Sequence, residues 1–411
     1  MKILFISTMI PFPPKGGHPQ RTFNLLKWTA QEHEVHLIGF AKEADETENI
    51  RQLERVCAKV YPFHLPDDWS RYHLYKNLLL NLFSPYPYTS LKYYHPTVRY
   101  LVKEVIAKEG IDILHCDMID LAFYATEAVA QRKVVVFHNM ESKLYLRRFQ
   151  NETNPFKKLL FLLQSRKLDR FERYMTPRFD LAVTVSPQEK AELLAKCGTA
   201  QVAVIPNGVD TEYFTPGTED QATNEIVFVG GLGWFPNEDG ILFFLENIWP
   251  RIRHRKITAT LVLVGRRGEK NRKLRSALKN GISPGIKVLG FVDDIRPIVR
   301  RASVCIVPLR IGGGTRLKIV DAMAMGKAIV STSVGCEGLD VTHGENILIA
   351  DDPNDFADHV IRLLDDSALR HTLGKAGRKL VEDRYSWNSI GREMTQVYHR
   401  LYSDVYPQTD Q

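Results

Sequence analysis

Residues Val307–Asp340 read VPLRIGGGTRLKIVDAMAMGKAIVSTSVGCEGLD: in order, a strand end, a glycine turn, a helix, a short strand and a loop. Ser303–Pro308 is short, rich in β-branched residues and followed by turn residues, the pattern of a buried strand. Gly312, Gly313 and Gly314 permit a tight or positive-φ backbone and the close approach of a ligand. Thr315 can cap a helix starting there, and Gly326 can end it. Such a helix start leaves N–H groups free and carries partial positive charge, which suits a phosphate. Arg316 and Lys318 add full charges beside it. Asp321, within two turns on the same helix, is placed to bind sugar hydroxyls next to a diphosphate. Taken alone, the segment is equally an ordinary β–α turn with solvated basic side chains. The rest of the chain decides between the two.

A chain of 411 residues exceeds one typical core and predicts two domains of roughly 200 residues each. Its 44% hydrophobic and 25% charged composition is that of a globular protein. No segment approaches the ~20 apolar residues of a membrane span. MKILFIST goes straight into a strand-like run, without the pattern of a signal peptide, so a cytoplasmic location is expected. Cys57, Cys116, Cys197, Cys305 and Cys336 are scattered and lack ligand spacing, which predicts buried reduced thiols. The histidines form no HxxxH or HExxH pattern, and no structural metal or cofactor is expected. A formal charge of +7 favours anionic partners. No nucleic-acid-binding signature accompanies that charge. A nucleotide-sugar or an anionic membrane surface fits it better.

Alternating strand and helix signals run through both halves. Met1–Thr8, Glu34–Phe40, Ile111–Cys116, Val134–His138, Leu181–Val185 and Val202–Ile205 read as strands. Gln20–Gln31 and Ile119–Ala130 read as helices, and Pro187 opens another. The loop Pro11–His18 after the first strand carries Gly16-Gly17 at a carboxyl end, where doubly wound sheets place ligands. It is not GxGxxG, which argues against a dinucleotide-dependent oxidoreductase. Tyr61–Tyr100 is rich in aromatic and basic residues. It reads as a helical hairpin packed on the core, or as a face for a bilayer or a lipid-linked substrate. Ser142–Tyr174 is a long basic amphipathic stretch, with Leu159, Leu162, Leu163 and Phe171 at helical spacing. Asp210–Asn224 is polar and linker-like. Beyond it the alternation restarts, with strands at Ile226–Val229, Ala259–Val264, Ile286–Leu289 and Ser303–Pro308, a helix over Asp239–Arg253, and a terminal helix over Tyr385–Tyr402. The pattern predicts an α/β protein with two doubly wound domains facing a cleft.

Several motifs then fall in sequence: IPNGVD at Ile205–Asp210 followed by Tyr213-Phe214, GFVDDIRP at Gly290–Pro297, GGGTRLKIVDAMAMGKAIVST at Gly312–Thr332, CEGL at Cys336–Leu339 and YSW at Tyr385–Trp387. With Gly16-Gly17, Ser186-Pro187 and VFHNME at Val136–Glu141, the set resembles the family-4 retaining glycosyltransferases (glycosyl transferases group 1) of GT-B fold. The resemblance implies two Rossmann-like domains: 1–205 for the acceptor and 206–384 for a nucleotide-sugar, with helix 385–404 crossing back to the first. It implies transfer of a hexose-type sugar from a nucleotide diphosphate-sugar, with retained anomeric configuration and without a metal. The acceptor would be a glycan or lipid-linked glycan in polysaccharide or glycolipid assembly, with peripheral membrane contact. A same-fold nucleotide-sugar epimerase or hydrolase, or a non-catalytic relative that binds nucleotide-sugar or a partner, is the alternative.

Carried over by position, the resemblance assigns the ribose-gripping carboxylate of an E-x7-E motif to Asp321, whereas the first Glu of that motif falls on Gly313. The Arg and Lys that usually contact the diphosphate fall on Gly231 and Asn237. Arg316 and Lys318 are therefore the candidates to replace them, beside Gly314 and Thr315. His138 matches a histidine that contacts the transferred sugar near the reacting centre. Gly17 would offer a backbone N–H. Gly265, Arg266 and Phe291 lie where the nucleotide base would sit, and Trp234 with Asn237 would shape the diphosphate side. His115 and Asp117, ending a strand, are equally structural or functional. No carboxylate pair of glycosidase type is required.

Overall fold

The structure is a computed structural model that describes residues 1–411 except 15, 42–46, 65–70, 127, 131, 153, 199, 218–222, 267–273, 275, 277, 279–284, 312–315 and 404–411. The chain divides into two units, Met1–Pro206 with Ile390–Gln411, and Asn207–Ser389.

The first unit holds strands β1 (Lys2–Ser7), β2 (Glu34–Ala41), β3 (Lys59–His64), β4 (Ile113–Cys116), β5 (Arg132–Phe137), β6 (Leu181–Thr184) and β7 (Val202–Val204). They form one parallel sheet in the order β3-β2-β1-β4-β5-β6-β7. The near-continuous apolar runs in β1, β4 and β5 follow from burial on both faces of a parallel sheet. Leu4, Ile6, Phe40, Leu114, Val135 and Phe137 lie in the core of this unit. Ile3 pairs with Val35 on one side and Ile113 on the other. The strand order therefore reverses at β1/β4, which opens a crevice beyond their carboxyl ends.

The second unit repeats the scheme. Its strands are β8 (Glu225–Val229), β9 (Thr260–Val264), β10 (Ile286–Gly290), β11 (Val304–Val307), β12 (Ile329–Ser331) and β13 (Leu348–Ile349). They run parallel in the order β10-β9-β8-β11-β12-β13. The reversal falls at β8/β11. Phe228, Leu261, Leu263, Ile306, Val330 and Val360 form much of one core cluster.

Three expectations are corrected and a fourth is refined. Asp239–Arg253 lies within one unbroken helical run, 235–255, in which helices Phe235–Phe243 and Trp249–Arg255 are joined through a π-turn at Phe244–Ile248. Pro250 lacks an N–H and cannot continue an α ladder, which the wider turn accommodates. Among its described residues, Ile119–Ala130 contains a 3-10 segment, Ile119–Ala125, in place of the expected helix. The aromatic stretch opens with β3, and the expected helices follow only from Arg71–Asn81 onward, with Tyr61, Phe63, Tyr93 and Tyr94 packed against the core. The leucine stripe turns as well: in helix Pro155–Met175, Leu168 and Phe171 face inward, whereas Leu159 is 56% exposed.

All five cysteines are buried and free. No described helix is long and apolar enough to cross a membrane. The terminal helix Trp387–Ser403 spans the boundary between the units, with Ile390 onward belonging to the first. There Tyr398 Oη lies 2.8 Å from His115 Nδ1.

Candidate functional site

Side chains of functional chemistry collect at each of the two reversal points. In the second unit, Gly230 N donates to Val264 O at 2.8 Å and Gly265 N to Gly290 O at 2.7 Å, carrying the ladder past the strand ends. Gly265 has φ +146, and a Cβ there would stand 2.1 Å from Gly230 O, so no larger residue fits. A Cβ on Gly230 would likewise lie 2.8 Å from both Asn237 Nδ2 and Lys318 Nζ. Two loops thus pack backbone to backbone and leave room for one amide and one amine.

Those two groups bond each other. Lys318 Nζ donates to Asn237 Oδ1 at 2.7 Å, and Asn237 Nδ2 donates to Gly231 O at 2.9 Å. The ammonium also lies 4.3 Å from the centroid of the Phe228 ring, within cation–π range. Lys318 is half-buried, and burial, then the charge of Arg316, pulls its pKa down to about 7. Arg316 is buried, donating to Val334 O at 3.3 Å and facing Glu337 at 3.9 Å. Burial alone raises the Asp321 carboxyl to about 7, and its Oδ1 meets no hydrogen-bond partner among the described residues. Asp321 and Lys318 share a small cavity with Val227, Val229 and Val307.

Helix Leu317–Ala324 begins later than the sequence suggests, with Arg316 at its cap and no side-chain cap bond. Gly312, Gly313, Gly314 and Thr315 lie outside the described residues. Arg266 and Phe291 meet at the ends of β9 and β10, guanidinium carbon 5.8 Å from ring centroid, with Phe291 63% exposed.

In the first unit, Gly17 opens helix Gly17–Thr29 behind Gly16, whose φ is +91. Asp117, fully buried just beyond β4, is the centre of the cluster. Its Oδ2 accepts from Thr22 Oγ1 at 2.6 Å and pairs with His18 Nε2 at 2.9 Å. His138 Nε2 donates to Asp117 O at 2.7 Å, and the His18 and His138 rings stand edge to face with centroids 4.4 Å apart. Burial alone would push the Asp117 carboxyl up, but the charges and hydrogen bonds of His138 and His18 hold it well below the usual range. Burial, then His18, lowers His138. Arg21, fully buried on the same helix, donates to Ile205 O at 2.8 Å and Pro206 O at 2.7 Å.

His18, Thr22 and Arg21 were missed in the sequence. Only their position just past Gly16-Gly17 could have signalled them. His18, Asp117 and His138 each offer a ligand atom, all within 4.8 Å of one another, as do Glu32, His33 and His399 elsewhere. Two imidazoles and a carboxylate could hold a metal ion. In the observed geometry, however, the His138 nitrogen facing the Asp117 carbonyl must carry a proton, and the trio is wired as a hydrogen-bonded network.

Residues 15–213 match glycosyltransferase family 4, and residues 223–366 match glycosyl transferases group 1. A 44.6 kDa protein in the cps region of Klebsiella pneumoniae is 24% identical over 370 residues, 88% of this chain and 90% of its own. Among solved structures, sucrose-phosphate synthase of Thermosynechococcus elongatus aligns with a TM-score of 0.72 at 19% identity, covering 98% of this chain and 100% of that one. Anabaena HepE in complex with UDP aligns at 0.69 and 17%, covering 97% and 100%. The chain belongs to the group 1 glycosyltransferases of GT-B fold.

Proposed function

We propose that this glycosyltransferase is a retaining enzyme that moves a hexose from a nucleotide diphosphate-sugar to a hydroxyl of a glycan or lipid-linked acceptor. The observation that carries the reading is the Lys318–Asn237–Gly231 chain at the β8/β11 reversal. The helix after β11 would thus supply a cation where family position leaves an amide. A diphosphate arriving there would draw Lys318 back to its charged form and accept from it. Asp321 would take the ribose hydroxyls, which supply the partners that its buried Oδ1 lacks among the described residues. Gly265, Arg266 and Phe291 would receive the base. The UDP complex of the HepE structure supports a nucleotide ligand for this fold.

Residues 207–389 then form the donor unit and residues 1–206 the acceptor unit. With His138 Nε2 committed to Asp117, a sugar hydroxyl would meet the Nδ1 edge. Backbone N–H groups at the start of helix Gly17–Thr29 would face developing negative charge. Leaving-group charge is carried by fixed dipoles and cations, and the acceptor is caught on the face the diphosphate leaves. In the first unit Leu79, Leu80 and Phe83 are exposed at 62%, 59% and 88%. Gln164 and Lys167 of the helix Pro155–Met175 bond Asn81 beside them. That helix carries Lys157, Lys158 and an 83% exposed Phe156. Apolar and basic side chains together suit the surface of an anionic membrane, where a lipid-linked acceptor would be met.

Metal-free thermal stability against a panel of nucleotide diphosphates and nucleotide-sugars tests the reading. A ligand at a hundredfold excess over its dissociation constant adds ~2.7 kcal/mol. A shift with one base, lost in Asp321→Ala, supports the donor site, and anomeric analysis of the product tests retention. A folded protein that responds to none of them points to a non-catalytic relative.

A further inference from the structure

In the first unit, the turn that closes helix Gly17–Thr29 meets the far half of the terminal helix. Glu32 N and His33 N both donate to Thr29 O, at 3.3 and 3.0 Å, before the chain enters β2 at Glu34. One tight turn therefore presents a carboxylate and an imidazole side by side. His399 of helix Trp387–Ser403 stands against them. The two helices are in close contact, since a Cβ on Gly391 would lie 2.4 Å from Trp28 Cβ. His399 follows Gly391 by about two turns of the same helix.

His399 Nε2 lies 3.4 Å from Glu32 Oε2, and the His33 and His399 rings stand edge to face with centroids 5.1 Å apart. One ligand atom from each of the three residues lies within 4.8 Å of the other two. His33 is only 8% exposed, and neither of its ring nitrogens has a hydrogen-bond partner among the described residues. A buried imidazole ordinarily bonds a carbonyl or a carboxylate. His138 does so, with its nitrogen committed to Asp117 O; His33 stands within reach of a second imidazole and a carboxylate and bonds neither. Burial above all holds His33 below the ordinary histidine pKa, so its ring is neutral, the form that ligates a metal.

Two imidazoles and a carboxylate are a donor set suited to zinc and its neighbours. Ligand atoms about 2.1 Å from zinc in a tetrahedron stand about 3.4 Å apart, the separation already found between His399 and Glu32. Both of those side chains are exposed and free to swing toward the fixed ring of His33. We propose that Glu32, His33 and His399 bind a zinc-class divalent cation, which fastens the terminal helix to the first unit. The neighbouring Tyr398 Oη lies 2.8 Å from His115 Nδ1, and His115 Nε2 lies 4.0 Å from Asp117 Oδ1. The cation thus steadies the helix that backs the Asp117 cluster. Glu32 and His399 are 367 residues apart, so no sequence spacing announces the site. The proposal does not depend on the transfer reaction.

Zinc chloride, titrated calorimetrically into the full chain free of any affinity tag and stripped with EDTA, tests the site. Wild type should bind zinc and melt at a higher temperature with it. His399→Ala and Glu32→Ala, both at exposed positions, should each weaken binding at least tenfold and abolish the rise in melting temperature. His399→Cys, which restores a ligand, should recover both, and His18→Ala should leave both in place. Zinc binding unchanged by either His399→Ala or Glu32→Ala, lost instead in His18→Ala, or absent from the wild type overturns the proposal.

Discussion

Lys318 Nζ stands 2.7 Å from Asn237 Oδ1, although the two residues leave different strands, β11 and β8, on either side of the reversal. The carbonyl of Gly231 fixes the amide by accepting from its Nδ2, and the amide fixes the lysine. The ammonium is thereby held beside Gly230 at the reversal, where burial pulls its pKa down to about 7.

Binding of a nucleoside diphosphate at pH 8 should therefore take up a proton, because the anion restores the charge on Lys318. Calorimetry in buffers of different ionisation enthalpy measures this. Uptake should disappear in Lys318→Met, with affinity falling about tenfold or more. Equal enthalpies in all buffers for the wild type rule the coupling out.

Asp321 behaves oppositely. Burial raises its pKa to about 7, above the unfolded value of about 4, so the native state holds the proton more tightly. The stability this group contributes is complete below about pH 4 and is lost as pH rises toward 7. Asp321→Asn should escape that loss. Its unfolding free energy should gain on the wild type between pH 5 and 7 by up to about 1.4 kcal/mol per pH unit, while donor affinity falls. Parallel pH–stability curves for the two proteins would contradict the assignment.

In the first unit the buried carboxylate supports two histidines and a threonine. Asp117→Ala should cost about 3–5 kcal/mol in denaturant unfolding, since it strands His18 and Thr22 around an emptied site. His138→Ala, at the cluster's edge, should keep stability within about 1–2 kcal/mol and lower kcat at least tenfold. A His138→Ala enzyme with wild-type kcat removes that residue from the chemistry.

Leu80→Glu/Phe83→Glu should leave the melting temperature unchanged, because both side chains are exposed. It should weaken co-sedimentation with vesicles containing anionic lipid about tenfold or more. Absence of wild-type binding to those vesicles refutes the membrane face.

The sequence by itself determined the two α/β repeats. Continuous apolar runs such as Ile3–Ile6 and Val134–Phe137 are legible because both faces of a parallel strand are buried, and alternation with helices allows few topologies. It also pointed to the helix carrying Lys318 and Asp321 and to His138, through motifs local to a few residues. Local pattern failed where a neighbour overrode it: Pro250 widened a helix into a π-turn that hydrophobic spacing does not announce, and the exposure of Leu159 was set by what packs on its helix.

Only the tertiary structure decided which side chains meet. Asn237 and Lys318 are 81 residues apart, and His18 and Asp117 are 99 apart. A reversal of strand order joins loops that no sequence period connects. Burial, which moves Lys318 and Asp321 toward neutrality and lets the histidines hold Asp117 charged, comes from that assembled surface. Residue type supplied the chemistry, and strand order gave it position and charge state.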